Sequence, residues 1–176
     1  IETYPRVQVN FNPELPPLKK IIDKTKIDVR YCLVAPFSYV RIYWDAKKYE
    51  LVYEVEEPVL NDEENSYKEQ IVAAMKNLIN FQEIVERNTE KLLDYIDKRF
   101  KIIAIELGIF MSYETYKIIY YYLVRDFMGF NEVDPLLRDY FVEDIECNGF
   151  NNHIYIVHRI YRNIRTNVMF TDSDKL

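Results

Sequence analysis

The chain of 176 residues carries 29 acidic and 23 basic side chains, for a net charge of −6, and 49% of its residues are hydrophobic. This composition is typical of a well-packed globular protein, and the acidic balance argues against nucleic acid as the main partner, because phosphate binding requires a basic surface. No apolar run approaches the roughly 20 residues that span a bilayer, so we expect any membrane role to go through a partner protein.

Residues 1–30 are predicted to form an irregular arm. Pro5, Pro13, Pro16 and Pro17 fall in this stretch. Proline lacks an amide donor and restricts the residue before it, so regular structure is interrupted. We expect the arm to lie across the body of the protein or to dock on a neighbour.

The next segment has the residue types of a β-hairpin. The stretches YCLVAPFSYVRIYW, from Tyr31, and ELVYEVEEP, from Glu50, are rich in β-branched and aromatic residues. The polar connection DAKKY between them is predicted to be the turn.

The middle of the chain is predicted to be helical. Apolar residues recur at intervals of three and four, which indicates one face of one long helix, or of two stacked helices that separate near Asn88. This seam consists of Tyr67, Ile71, Met75, Leu78, Gln82, Val85, Thr89, Leu92, Ile96, Phe100, Ile103 and Leu107. Asn61, Asp62 or Ser66 could cap its start, and Gly108 is expected to end it. A further helix is predicted from Ser112 to Gly129.

Strand patterns return near the C-terminus. Asp134 and Pro135 are predicted to start a short helix as its cap and first residue. VEDIEC then predicts a strand, NGFNN a turn, and IYIVHRIY with IRTNVMF a hairpin that turns at Arg162 and Asn163. We therefore expect an α+β fold with an N-terminal hairpin, a helical middle, and C-terminal strands in an antiparallel sheet. The two sets of strands could share one sheet.

The segment from Val133 to Phe170 resembles the end of the N-terminal domain of archaeal type II/type IV secretion ATPases, the motors of pili and archaella. The resemblance rests on order and spacing, covers about residues 31–170, and includes Pro36-Phe37 and Glu57-Pro58-Val59-Leu60 upstream. Tyr140 departs from it, since relatives more often carry proline there. The matching residues are Asp134, Pro135, Leu136, Asp139, Glu143, Asp144, Ile145, Asn148, Gly149, His158, Thr166 and Asn167.

The resemblance implies a non-catalytic regulatory and oligomerisation domain. In such a protein, residues 31–170 would pack on the RecA-like motor domain of the same or a neighbouring subunit in a homo-hexamer. The domain would couple ATP hydrolysis to a polytopic membrane platform protein, from a cytoplasmic position. Residues 171–176 would be the linker to the motor domain. ATP and Mg²⁺ are expected for the full-length ATPase only, because nothing in this sequence matches the glycine-rich phosphate loop.

The arginines Arg159, Arg162 and Arg165 are the candidate phosphate contacts. Guanidinium groups bind phosphate oxygens in a bidentate manner and could reach a nucleotide held by an adjacent motor domain. The alternative is that they are solvated charges on a hairpin.

The acidic residues and the histidines are further candidates, for metal binding or acid/base catalysis. Asp134, Asp139, Glu143 and Asp144 could hold Mg²⁺ or act as an acid and base. Structural roles are favoured, since Asp134 has a capping position, and Glu143 and Asp144 are strand neighbours expected to face opposite ways. His153 and His158 would also point to opposite faces, so we predict no metal site. Cys32 and Cys147 lack metal-ligand spacing and are expected to be reduced thiols of a cytoplasmic protein.

Two other functions remain open. A freestanding adaptor could bind a partner through the long helical seam. A small acid/base enzyme using the carboxylates between Asp134 and Asp144 fits less well, because no nucleophile or glycine-rich loop accompanies them.

Overall fold

Strands, helices and strands follow one another along the chain. The computed structural model describes residues 1–78 and 88–170. The helices among these residues are α1 (Asp62–Leu78), α2 (Thr89–Glu106), α3 (Tyr113–Met128) and α4 (Asp134–Arg138). The strands are β1 (Asp28–Val34), β2 (Ser38–Asp45), β3 (Glu50–Glu56), β4 (Val142–Glu146), β5 (His153–His158) and β6 (Arg162–Met169). The predicted linker 171–176 and the seam residues Gln82 and Val85 lie outside the described residues.

The chain divides into two compact units. The helical unit combines Ile1–Gln8 with Pro58–Gly129, and the sheet unit combines Val9–Glu57 with the described residues from Phe130 onward. In sequence, the helical unit is therefore an insertion between the first three strands and the last three.

The sheet unit contains one six-stranded mixed sheet in the order β1-β2-β3-β6-β5-β4. All neighbouring strands are antiparallel except β3 and β6, which run parallel and pair Val52 with Arg165 and Tyr53 with Thr166. Beyond these pairs, the side chain of Asn167, instead of a strand backbone, makes the hydrogen bonds to β3. Its Oδ1 accepts from the Val55 N–H at 2.8 Å, and its Nδ2 donates to the Val55 carbonyl at 3.0 Å.

The predicted sheet arrangement is wrong. The N-terminal strands form a three-stranded meander instead of a hairpin. The two sets of strands do share one sheet, as the sequence left open, but this sheet is mixed instead of antiparallel. The predicted first strand breaks at the cis Ala35-Pro36 bond, where the Phe37 N–H donates to the Val34 carbonyl at 2.8 Å. Proline cannot donate to a strand ladder, so the chain turns at this point.

The predicted turn of the last hairpin is also displaced. β5 ends at His158, three residues 159–161 connect the strands, and Arg162 already begins β6 with a positive φ of 64°. The buried ring of His158 accepts from the Ile160 and Tyr161 N–H groups at 3.2 and 3.3 Å. This side-chain cap, which strand periodicity does not reveal, fixes the turn before Arg162 and Asn163.

Local signals define the ends of the three long helices. Asn61 Oδ1 accepts from the Glu64 N–H, and Glu64 Oε2 accepts from the Asn61 N–H, both at 2.9 Å, which is a capping box. Asn88 caps α2 and Ser112 caps α3. Gly108, with a φ of 65°, follows α2 in the left-handed conformation that favours glycine.

Part of the predicted seam forms the core of the helical unit, whereas its members Thr89 and Leu107 are exposed. α1 and α2 pack against each other and α3 packs against both, so the seam belongs to two helices instead of a continuous one. Ile71, Met75, Ile96, Phe100 and Ile103 are all at most 1% exposed. No helix among the described residues combines the length and apolar content needed to cross a membrane.

The core of the sheet unit is built from inward-facing strand residues. Alternate positions on the strands point to one face, and Leu136 of α4 packs among them. Leu15, Leu18 and Ile21 of the predicted arm cover part of this core. The remaining buried members are Ile27, Tyr31, Leu33, Val40, Ile42, Leu51, Tyr53, Val55, Ile154, Ile156, Tyr161, Ile164, Val168 and Phe170.

We predict that Phe100→Ala lowers the free energy of unfolding by about 3–5 kcal/mol, because it leaves a cavity in the helical unit. Phe100 is 0% exposed and its ring stacks on Tyr116 with centroids 4.4 Å apart. Urea denaturation measures the change. Phe110→Ala is the matched control, since Phe110 is 85% exposed in the same unit and its loss should change stability by no more than about 0.5 kcal/mol. Equal effects of the two substitutions would contradict the assigned core.

Candidate functional site around Asp139 and the β5–β6 arginines

Asp134 connects the start of α4 to the residues on either side. Its Oδ1 accepts from the Phe130 N–H at 3.3 Å, and its Oδ2 pairs with Arg138 Nε at 2.5 Å. The helix cap is Val133, and no side chain caps it, so the predicted capping role of Asp134 is wrong. Pro135 does occupy the first turn of α4, where its missing N–H costs nothing.

Asp139 is the centre of a buried hydrogen-bond network. Its Oδ2 accepts from the Tyr31 and Tyr53 hydroxyls, each at 2.6 Å, and its Oδ1 accepts from the Phe141 N–H at 2.8 Å. The carboxylate is 4% exposed, and the two tyrosines are 4% and 0% exposed. Asp139 therefore connects β1, β3 and the loop before β4 in the interior of the sheet unit.

His158 extends this network with a defined tautomer. Its Nδ1 accepts two backbone N–H groups, so the ring proton is assigned to Nε2. Nε2 lies 3.3 Å from the Tyr31 hydroxyl, to which it donates, while that hydroxyl donates to Asp139. The ring also stacks between Phe141 and Tyr161, with centroids 5.5 and 5.0 Å away. Each donor in this series of hydrogen bonds, from His158 through Tyr31 to Asp139, is therefore directed toward the carboxylate.

Burial sets the protonation behaviour of the network. Desolvation lowers the pKa of His158 to about 4, so the ring is neutral near pH 7. Desolvation also raises the pKa of Asp139, while the two tyrosine hydroxyls, the Phe141 N–H and Arg159 oppose the rise. The pKa values of Tyr31 and Tyr53 rise, first through desolvation and then through the Asp139 charge. Both hydroxyls therefore remain protonated donors, as the network requires.

Three other residues between Val133 and Phe170 also have structural roles. The Thr166 hydroxyl donates to the Ile154 carbonyl at 2.7 Å and accepts from the Val168 N–H at 3.1 Å. Asn167 binds the Val55 backbone, as described above. Gly149 has a φ of 93° in the β4–β5 connection, a conformation that strongly favours glycine.

The three arginines differ in their surroundings. Arg165 Nε donates to Glu50 Oε1 at 2.7 Å, and its side chain is 12% exposed. The guanidinium of Arg159 lies 4.2 Å from the centre of the Tyr140 ring and 4.0 Å from Glu143, and its side chain is 43% exposed. Arg162 is exposed at the start of β6. Arg159 and Arg162 are thus the more accessible cations, and Arg165 is largely committed to Glu50.

The acidic residues are not brought together as a catalytic set. Asp134 and Asp139 are buried in separate networks, whereas Glu143 and Asp144 are both exposed on β4. A register shift between Val142 and Asp144 interrupts the regular alternation of β4, and both Glu143 and Asp144 border one groove. Within residues 1–78 and 88–170, no three His, Cys, Asp or Glu side chains are grouped so that they could hold a metal ion.

His153 and the two cysteines have separate surroundings. His153 Nδ1 is 2.9 Å from the Thr166 carbonyl, and its Nε2 is 3.4 Å from Arg165. It does not share the buried network of His158. Cys32 is half-buried and its thiol donates to the Ser38 carbonyl at 3.5 Å, while Cys147 is exposed; both are free thiols.

Sequence reasoning missed Tyr31 and Tyr53, which donate to Asp139 from 108 and 86 residues away. A signal exists, because both tyrosines occupy core positions of strands and a buried tyrosine hydroxyl needs a partner. Sixteen tyrosines in the chain make the choice ambiguous without the fold.

The fold and this site define an α+β protein whose buried polar network links strands and a short helix, with exposed arginines beside it. No family model matches the chain. The chain is 27% identical over 160 residues to the uncharacterized protein MJ1288 of Methanocaldococcus jannaschii. The alignment covers 90% of this chain and 63% of that relative, so the chain spans less than two thirds of the relative's length.

We predict that acid destabilises the protein through His158. Between its usual pKa of 6.5 and its folded value of about 4, the unfolded chain binds a proton that the folded chain does not, so stability falls as the pH falls. The loss amounts to about 3 kcal/mol between pH 7 and pH 4. Asp139 acts in the opposite sense, because its raised pKa favours the folded state on acidification.

His158→Asn isolates the histidine contribution, since its side-chain oxygen can accept the N–H groups that Nδ1 accepts. Urea denaturation at several pH values should show a smaller acid loss in this variant than in the unaltered protein. His153→Gln is the control and should retain the full loss, because His158 is still present. A variant His158→Asn with an unchanged pH profile contradicts the assignment.

We also predict that Tyr53→Phe lowers the free energy of unfolding by about 1.5–3 kcal/mol, because it removes a hydrogen bond to a buried carboxylate. Tyr155→Phe is the control on the same sheet, since Tyr155 is 39% exposed and its change should fall within about 0.5 kcal/mol. Thermal and urea denaturation measure both. If the two variants are equally stable, the Tyr53 contact contributes nothing.

Proposed function

We propose that the chain is the non-catalytic regulatory and oligomerisation domain of a hexameric archaeal type IV pilus or type II secretion ATPase. In this proposal it packs on a RecA-like motor domain of its own or a neighbouring subunit. It relays the conformational changes of ATP hydrolysis to a polytopic membrane platform protein, from a cytoplasmic position peripheral to the membrane.

The observation that carries the proposal concerns the segment from Val133 to Phe170, which resembles the secretion ATPases. In it, buried hydrogen-bonded residues are separate from exposed arginines. Asp139, His158 and Thr166 are buried and hydrogen-bonded, whereas Arg159 and Arg162 are exposed at the end of the β5–β6 hairpin. A rigid framework that presents cations at one turn is suited to contacting a nucleotide held by another domain. The archaeal source and greater length of the relative are compatible with this reading.

Each accessible arginine has a defined role in the proposal. The Arg159 guanidinium stacks on Tyr140, which reduces the freedom it would lose on binding phosphate. Arg162 is the first residue of β6, and its exposed side chain is the second candidate phosphate contact. Arg165 acts as support instead of a phosphate contact, because its Nε is bonded to Glu50.

The helical seam offers less to an adaptor than the sequence pattern indicates. Ile71, Met75, Ile96, Phe100 and Ile103 are packed within the helical unit and have no exposed surface to give a partner. We therefore place the freestanding adaptor second, as the reading that follows if the ATPase proposal fails.

We predict that the natural full-length protein hydrolyses ATP and assembles into hexamers, while the 176-residue chain alone does neither. In the full-length protein, Arg159→Ala and Arg162→Asn should each lower ATPase turnover at least about tenfold without dissociating the hexamer, because a charge-assisted phosphate contact is lost. Asparagine is chosen at position 162 because it tolerates the positive φ of 64°. Turnover assays and native mass spectrometry provide the two measurements.

Arg41→Ala is the matched control. Arg41 is also 43% exposed, also lies over a tyrosine ring, and also pairs with a carboxylate, but it belongs to β2. It should leave turnover unchanged. Unaltered turnover in both hairpin variants rejects the phosphate role. A full-length protein without a phosphate-binding loop or ATPase activity rejects the ATPase proposal altogether.

A further inference from the structure

A groove separates α4 from β4 within the sheet unit. Its volume is about 320 Å³, and its lining residues are Leu136, Leu137, Val142, Glu143, Asp144 and Ile145. An enclosed apolar cavity of roughly 150 Å³ holds benzene, so this open groove is wide enough to receive one large side chain. The buried network makes no use of it, and Arg159 approaches it only through Glu143, at 4.0 Å.

The groove is lined by apolar and polar groups together, and its apolar members come from α4 and β4. Leu136 is 0% exposed and forms part of the core beneath it, and Val142 and Ile145 are half-buried. Leu137, on the exposed side of α4, is 52% exposed. A leucine held in this position beside a concave surface gains burial only when another group covers it.

The backbone of β4 is poorly suited to adding a further strand. β4 is the end strand of the sheet, and none of the strands in the described residues pairs with its outer edge. It is five residues long, it is bulged between Val142 and Asp144, and the Asp144 carboxylate accepts from the Ile145 N–H at 2.9 Å. Short length, a bulge and charge are features that oppose edge-to-edge pairing. Recognition at this groove therefore depends on side chains.

The rim of the groove is negatively charged. Glu143 and Asp144 line it, and Glu146 follows on the same strand, all three exposed. Arg159 is 4.0 Å from Glu143, at the limit of an ion pair, and its guanidinium lies over the Tyr140 ring. An occupant with positive charges beside its apolar group would match both the apolar residues and the rim.

We propose that this groove binds a basic segment of a partner protein, which inserts a leucine, isoleucine or phenylalanine between α4 and β4 and places flanking lysines or arginines against Glu143 and Asp144. The inserted side chain supplies affinity by covering Leu137, Val142 and Ile145. The flanking cations supply specificity and a faster encounter. The proposal does not depend on the ATPase function and can hold if that function is wrong.

A second copy of this groove is an unsuitable occupant. Two β4 strands facing each other would oppose the carboxylates of Glu143, Asp144 and Glu146 with the same three groups, and like charges in close contact are destabilising. The net charge of −6 adds to this repulsion. The charge pattern thus favours a basic partner over self-association.

The test selects ligands from a phage-displayed library of random nonapeptides on the whole 176-residue chain. We expect enriched peptides to carry a large apolar residue with Lys or Arg within two positions. A selected peptide, titrated into methyl-labelled protein, should shift the methyl signals of Leu137, Val142 and Ile145 in a saturable manner. Leu137→Asp and Glu143→Lys should each weaken its binding at least tenfold, as should higher salt.

Two control variants separate the groove from general effects. Ile22→Asp changes an aliphatic residue that is 95% exposed in the same unit, and Glu69→Lys makes the same charge change on α1. Both should bind the peptide as the unaltered protein does. Leu137→Ser serves as a second groove variant if Leu137→Asp does not fold.

Three results overturn the proposal. The first is a selection that yields no peptides that distinguish the groove variants from the controls. The second is a set of enriched peptides without basic residues, which would show an apolar contact without the acidic rim. The third is a shift of the same methyl signals on dilution of the protein alone, which would assign the groove to a second copy.

Discussion

The carboxylate of Asp139 is the interaction on which the sheet unit depends. A buried carboxylate is tolerated only when hydrogen bonds replace the water it loses. Here Tyr31 brings a donor from β1, Tyr53 brings one from β3, and the Phe141 N–H comes from the loop before β4. These elements are far apart in the sequence, so one side chain fixes both halves of the sheet relative to each other. His158 adds a directed donor, and its own backbone contacts set the turn into β6.

Features that depend on nearby residues were the ones that the sequence could predict. Ser112 and Gly108 act within a few residues of their positions, and both mark helix ends as expected. The break at Ala35-Pro36 was also detectable, because proline inside a strand pattern is a known interruption, but the surrounding β-branched residues concealed it. The parallel pairing of β3 with β6 had no local signal. Its residues are more than 100 positions apart, and no turn connects them.

In the candidate site, too, residue identities could be predicted from the sequence, but long-range contacts could not. Asp139 and His158 could be selected from the sequence as candidate site residues, but their hydrogen-bond partners could not. Arg165 could not be told from Arg159, since its pairing with Glu50 is a contact over 115 residues. The expectation for Glu143 and Asp144 assumed regular strand alternation, whereas the register shift between Val142 and Asp144 is a property of the folded sheet. Burial and long-range pairing, and not residue type, decide which charges remain available to a partner.

The parallel junction has a consequence for synthesis on the ribosome. The β1–β3 meander emerges first, and the asparagine that completes the edge of β3 lies 112 residues after Val55. At about 5–20 residues per second, the outer edge of β3 waits roughly 5–20 seconds for β6. During that interval it carries backbone groups open to pairing with another nascent chain. The helical unit is made in the meantime, because its main segment lies between the two halves of the sheet. The order of translation thus gives the helices time to fold before the last strands close the sheet.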